Sequence, residues 1–172
     1  MLHLDLELKQ SVQTLLGGTQ TMASGFPYDS SAFAPLTSSK LLWRWTSRTH
    51  ALFPAHVLAA MMAFNSSEAL ARHAEALLRV PDPTDRAGTV MECGDDVPEE
   101  KVSTWLSGLS ADAQAWTVLS WDRTTAILIP WKHFAERWSD FCYPASDDVT
   151  IWQPHQLRTL EFEHEESFRY FG

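Results

Sequence analysis

Two β-rich runs, Trp116 to Trp121 and Ala126 to Ile129, flank the polar tetrapeptide Asp122-Arg123-Thr124-Thr125. Strand-forming runs separated by a short polar segment predict an antiparallel hairpin, here without the glycine that favours the tightest turns. Pro130 follows at once. Its fixed φ and missing N–H suit the first turn of a helix. Trp131, Phe134, Ala135, Trp138 and Phe141 then recur at helical spacing. The pattern predicts a helix through about Phe141 with one aromatic face buried on the hairpin. Tyr143-Pro144 ends it, because the residue before a proline disfavours helical backbone.

Further strands are expected at Val149–Trp152, at Leu157–His164 and around Phe168–Phe171. In the second of these, Leu160 and Phe162 alternate with Glu161 and Glu163. The links between these runs are short, which favours antiparallel pairing. The fold class that follows is α+β: a mostly antiparallel sheet in the C-terminal half, with helices packed on one face.

The first half is less regular. Leu2, Leu4, Leu6 and Leu8 alternate with polar residues and read as a strand, while Leu8, Val12, Leu15 and Leu16 also fit a helical face. Residues 19–39 are rich in Ser, Thr, Gly, Pro and Ala and read as a long loop, with room for a short element around Phe26 to Phe33. Pro54 is placed to start a helix through Phe64. A second helix is expected over Glu68–Val80, with Leu70, Ala74, Leu77 and Leu78 as its buried stripe and Pro81 and Pro83 as its stop. Gly88–Cys93 reads as a strand. Asp95 or Asp96 is expected to cap a helix carrying Pro98, Glu99 and Glu100 in its first turn and ending near Gly108. At 172 residues the chain suits one globular domain.

Charge divides the chain in two. Seven acids and seven bases balance through Arg86, so the whole net charge of −9 lies after it. Such a field repels phosphate backbones and attracts basic partners, which argues against nucleic acid as a ligand. Met1 to Gln10 has neither the basic start nor the apolar run of a signal peptide. The longest apolar stretch, Val57 to Phe64, is far short of the roughly 20 residues that cross a bilayer. A cytoplasmic protein without a membrane partner is expected.

Reaction chemistry finds little support. The seven histidines form no HxxxH, HExxH or HxH spacing. Glu161, Glu163, His164, Glu165 and Glu166, with Asp147 and Asp148, could hold a hard cation, but Glu161 and Glu163 are also what the wet side of a strand requires. Cys93 and Cys142 lack a CxxC and read as buried thiols, with one bridge geometrically possible. No serine lies in a GxSxG frame, and Gly17-Gly18 has no following lysine for a phosphate loop. No catalytic residue, metal or cofactor is therefore expected. The competing expectation is a small enzyme using Glu161, Glu163 or His164.

Six of the eight tryptophans lie in the acidic half. Trp116 and Trp121 have opposite strand parity, so one of them points away from the main core. Exposed tryptophan is a common anchor at protein interfaces. The run Ser146-Asp147-Asp148-Val149-Thr150-Ile151-Trp152, with Leu160 to Phe168, resembles the small acidic bacterial immunity-type proteins of toxin systems. The resemblance covers about the last 55 residues and implies a non-enzymatic protein that binds and occludes a cognate toxin. The expected contact surface for a basic protein partner is Asp147, Asp148, Glu161, Glu163, Glu165 and Glu166, with Trp121 and Trp152 as apolar anchors.

Overall fold

The computed structural model describes residues 32–36, 40–47, 51–64, 69, 71, 73, 75, 88–144, 146–153 and 158–171. The expected strand or helix over residues 2–16 lies outside them, as do the predicted stripe residues Leu70, Ala74, Leu77 and Leu78. The described chain forms a mixed α/β fold on one antiparallel sheet of eight strands. In chain order these are β1 (Phe33–Pro35), β2 (Met62–Phe64), β3 (Thr89–Glu92), β4 (Trp116–Ser120), β5 (Ala126–Pro130), β6 (Val149–Gln153), β7 (Arg158–Glu163) and β8 (Ser167–Phe171). Their spatial order is β1-β2-β5-β4-β6-β7-β8-β3. The described helices are α1 (Trp43–Thr46), α2 (Ala55–Ala59), α3 (Glu99–Leu109) and α4 (Trp131–Glu136), followed by a 3-10 turn at Trp138–Asp140.

The predicted hairpin is β4–β5, in register from Trp116 opposite Pro130 to Ser120 opposite Ala126. The Trp121 N–H donates to the Thr125 carbonyl at 3.0 Å and closes it. Side chains alternate across a strand. Leu119, Ile127, Ile129, Ile151, Leu160 and Phe168 therefore share one face, and all belong to the larger core cluster. Trp131, Phe134, Ala135, Trp138 and Phe141 are buried in the same cluster. Phe134 lies 6.1 Å from Phe141 and 6.4 Å from Phe168 between ring centroids, and Trp138 meets Phe168 edge-on at 5.4 Å. Each buried side chain of this size contributes about 1.5–3 kcal/mol.

The opposite face carries a second apolar cluster of Phe33, Met62, Phe64, Val118 and Leu128. Ala69 and His73, on helical backbone, are fully buried there. His73 stacks at 4.9 Å on Phe64, and its Nε2 is 3.0 Å from the Ser120 hydroxyl. Trp116 packs against this second cluster and Trp121 against the first, as their parity demands.

Three local expectations are corrected. The predicted helix from Pro54 through Phe64 stops after Ala59. Met62–Phe64 is instead a strand, paired with β5 through Met62 opposite Leu128 and with β1. A run with no polar residue has no readable period, so sheet pairing decided it. The predicted helix through Phe141 is interrupted at Arg137, where φ is −137° and ψ 30°. Its aromatic residues reach the core from α4, the 3-10 turn and the residue after that turn. No aspartate caps α3: Pro98 occupies the N-cap position without a side-chain hydrogen bond. β1 is a short strand within the expected loop 19–39.

Candidate functional site

Strands β4, β6 and β7 are neighbours, and the end of β4, the start of β6 and the end of β7 meet at one end of the sheet. Each contributes a polar or aromatic residue just where its ladder runs out. Trp121 follows β4, Asp148 precedes β6, and Glu163 leads into the turn His164-Glu165-Glu166 before β8. Together they line a groove of about 400 Å³, shared by Trp121, Asp148, Glu161, Glu163, Glu165 and His164. Val149, Thr150 and Phe162 complete its lining, and the side chains of Val149 and Phe162 are buried in the larger core cluster.

Within the groove one pair is well defined. The imidazole Nδ1 of His164 lies 2.8 Å from Asp148 Oδ1, and the backbone N–H of His164 donates to the same oxygen at 3.0 Å. The hydrogen bond to Asp148, then its charge and those of Glu165 and Glu163, hold the His164 pKa above the ordinary histidine value. The same hydrogen bonds hold Asp148 below the ordinary carboxylate value. Both side chains are exposed, 58% for His164 and 70% for Asp148, so water screens the pair. Arg169 donates to Glu163 at 3.2 Å on the next strand.

Asp147, one residue earlier, has a different environment. It is buried, 5% exposed, and accepts both Nη atoms of Arg44 at 2.8 Å. It also accepts the Tyr143 N–H at 3.0 Å. The Arg44 guanidinium lies 4.7 Å from the Tyr143 ring centroid, 5.4 Å from that of Trp121 and 5.7 Å from that of Trp43. The hydrogen bonds to Asp147 raise the Arg44 pKa further, against the opposing effect of burial. Trp121 is thus common to the Arg44 cluster and to the groove. Its indole N–H and the Nε–H of Arg44 are buried and meet no acceptor among the described residues.

Of the eight residues expected at a contact surface, Trp121, Asp148, Glu161, Glu163 and Glu165 come together here. Asp147 faces Arg44 inside the molecule. Glu166 is half-buried in the hairpin turn with φ at 64°, its carboxylate lying against Gly94. Trp152 shares a sheet face with Thr150 and Glu161 but lies further along β6, opposite Val118 and Thr159 and packed on the second cluster, with its indole nitrogen buried. Arg44 and Tyr143 were not expected to matter. Arg44 is 103 residues from its partner, and no local pattern announces such a pair.

Other chemistry is sparse. Cys93 and Cys142 are free and buried. Burial, then Glu166 and Glu92, pushes the Cys93 thiol up to about 12, and burial raises Cys142 as well. Neither supplies a thiolate near neutral pH. Among the described residues, no three His, Cys, Asp or Glu side chains are grouped to hold a metal ion, and no helix is long and apolar enough to cross a membrane. What the groove offers chemically is negative charge beside an aromatic ring, with one imidazole tethered between. A scan against protein-family models and searches of curated proteins and of solved structures return no match.

Proposed function

We propose that this chain is a non-enzymatic, acidic protein-binding module that acts in the cytoplasm as an immunity-type inhibitor, occluding the basic surface of a cognate toxin. The observation that carries the reading is the groove, where Trp121 stands beside Asp148, Glu161, Glu163 and Glu165. Aromatic rings anchor protein interfaces, and a field of one sign steers a partner of the other. The net charge of −9 favours a basic protein over nucleic acid.

The test begins with a partner recovered by co-purification from the native host. A variant with Glu161, Glu163 and Glu165 changed to Gln then associates more slowly at low salt, and the difference shrinks at high salt. Association equal to wild type at both salts would sink the reading.

The second reading is a small enzyme in which His164, oriented by Asp148, serves as general base. The 2.8 Å contact between them favours it. Turnover of any substrate that is lost in His164→Gln, with binding of the basic partner unaffected, decides for the enzyme.

A further inference from the structure

The Arg44 cluster shows what this corner of the molecule does with a guanidinium. Arg44 forks onto Asp147 with two bonds of 2.8 Å and lies over the Trp121 ring at 5.4 Å. The groove is lined by the same Trp121, by the next carboxylate in sequence, Asp148, and by Glu161 and the Arg169-bonded Glu163 on the neighbouring strand. Arg44 is neutralised by Asp147, so it does not reverse the sign of the field around Trp121.

We propose that the groove is a socket for an arginine side chain of the partner, in which the incoming guanidinium displaces the imidazole of His164 from Asp148. The inference rests on the reading of this end of the sheet as the partner-binding surface, and it names what that surface recognises.

Arginine fits better than lysine. A planar guanidinium stacks on an indole and pairs with a carboxylate through two parallel N–H donors, whereas an ammonium is a compact, strongly hydrated point charge. The groove, at about 400 Å³, also has room for main chain beside the side chain.

His164 plays the opposite part. Its imidazole is already seated on the carboxylate the ligand needs, and when protonated, which Asp148 favours, it is a competing cation of the protein's own. Both side chains are exposed, so the seat is exchangeable. His164 therefore weakens binding of a competing cation rather than assisting it.

The experiment uses N-acetyl-arginine methylamide as the probe, with the citrulline analogue as its uncharged isostere. Both are titrated into the full chain while the His164 imidazole and Trp121 indole resonances are followed. Arginine is expected to give saturable shifts at both, with citrulline at least about ten-fold weaker because it lacks the charge-assisted bonds. Asp148→Asn weakens arginine, and His164→Gln tightens it, by up to about five-fold, the range spanned by exposed ion pairs.

Equal binding of citrulline, no saturable shift at His164 and Trp121, or weaker binding in His164→Gln each overturns the proposal. If the probe fails while a co-purified partner still depends on Glu161, Glu163 and Glu165, the binding surface stands and only the arginine socket falls.

Discussion

Asp147 and Asp148 are consecutive in the chain and opposite in circumstance. Asp147 is enclosed, forked by Arg44 and bonded by the Tyr143 N–H. Asp148 is open and shares one oxygen with a surface histidine. Adjacent residues entering a strand point to opposite sides, so a single step along the backbone separates a structural ion pair from a surface one. The two histidines repeat the contrast. His73 is buried on Phe64 and Ser120, and desolvation pushes its pKa down to about 4 despite the charge of Asp122. His164 is exposed on Asp148 and is pushed up. Burial thus decides whether a charge in this protein holds the fold or is available to a partner.

The largest test of that division is Asp147→Ala. It strands the Arg44 guanidinium beneath Trp121 and Tyr143 with no counter-charge. Breaking a buried pair from one side costs about 3–5 kcal/mol. Replacing both partners by apolar residues, Arg44→Met with Asp147→Leu, recovers most of the loss, because the desolvation cost then disappears as well. Denaturant midpoints read both. A single variant as stable as wild type would mean that water reaches this pair and that it belongs with the surface.

His73 supplies the pH arm. Its folded pKa of about 4 lies below its unfolded value of about 6.5. Above pH 6.5 both states are neutral and nothing is lost. Between pH 6.5 and 4 the unfolded chain takes up the proton while the folded one does not, so stability falls as pH falls. The shift corresponds to about 3 kcal/mol by pH 4. His164 has the opposite sign: its contribution is present at low pH and fades as pH rises through its raised folded value. Comparing wild type with His73→Gln across this range isolates the first effect. Parallel curves would show that His73 is hydrated.

Much of this arrangement is legible in the residues, for identifiable reasons. The β4–β5 hairpin, the aromatic residues after Pro130 and the last three strands announce themselves by period and turn chemistry, which are local. The same alternation in Leu160 to Glu163 put Glu161 and Glu163 on a common side, and three more of the expected residues join them in the groove. What local pattern cannot carry is pairing across the chain. Nothing near Asp147 reveals that Arg44 claims it, so both aspartates read alike. The run from Val57 to Phe64 hid a helix-to-strand change because it has no polar face. Trp152 is strand-borne as expected, but its packing on the second cluster, away from the groove end of β6, depends on the register with β4 and β7.

A smaller test concerns the hairpin turn beside the groove. Glu166 has φ at 64°, where its β-carbon crowds the backbone, and the Glu166 N–H donates to the Glu163 carbonyl at 2.9 Å. This position favours glycine in hairpins of this kind. Left-handed backbone costs a side-chain-bearing residue about 1–2 kcal/mol. Glycine gives back part of that gain, about 0.4–1 kcal/mol, through the freedom of the unfolded chain. Glu166→Gly is therefore expected to stabilise the fold by roughly 0.5–1 kcal/mol. A destabilised variant would show that the Glu166 carboxylate against Gly94 outweighs the backbone, and would move Glu166 to the structural side of the comparison.

The smallest effect on stability, and the most informative about function, is expected from Asp148→Asn. The carboxylate is 70% exposed and its partner 58%, so solvent already screens what the substitution removes. Asn keeps the shape and an acceptor for the His164 N–H, which leaves the denaturant midpoint at the wild-type value. The change should appear elsewhere. Losing the negative charge removes what holds the His164 pKa up, so its imidazole titrates closer to the ordinary value. Association with a basic partner slows at low salt, because rim charges act mainly on the encounter rate. Asp147→Ala, one residue away, reverses the pattern: a large loss of stability and little direct effect on encounter. If Asp148→Asn instead lowers the midpoint as Asp147→Ala does, the two aspartates form one structural unit and the groove loses its claim as a binding surface.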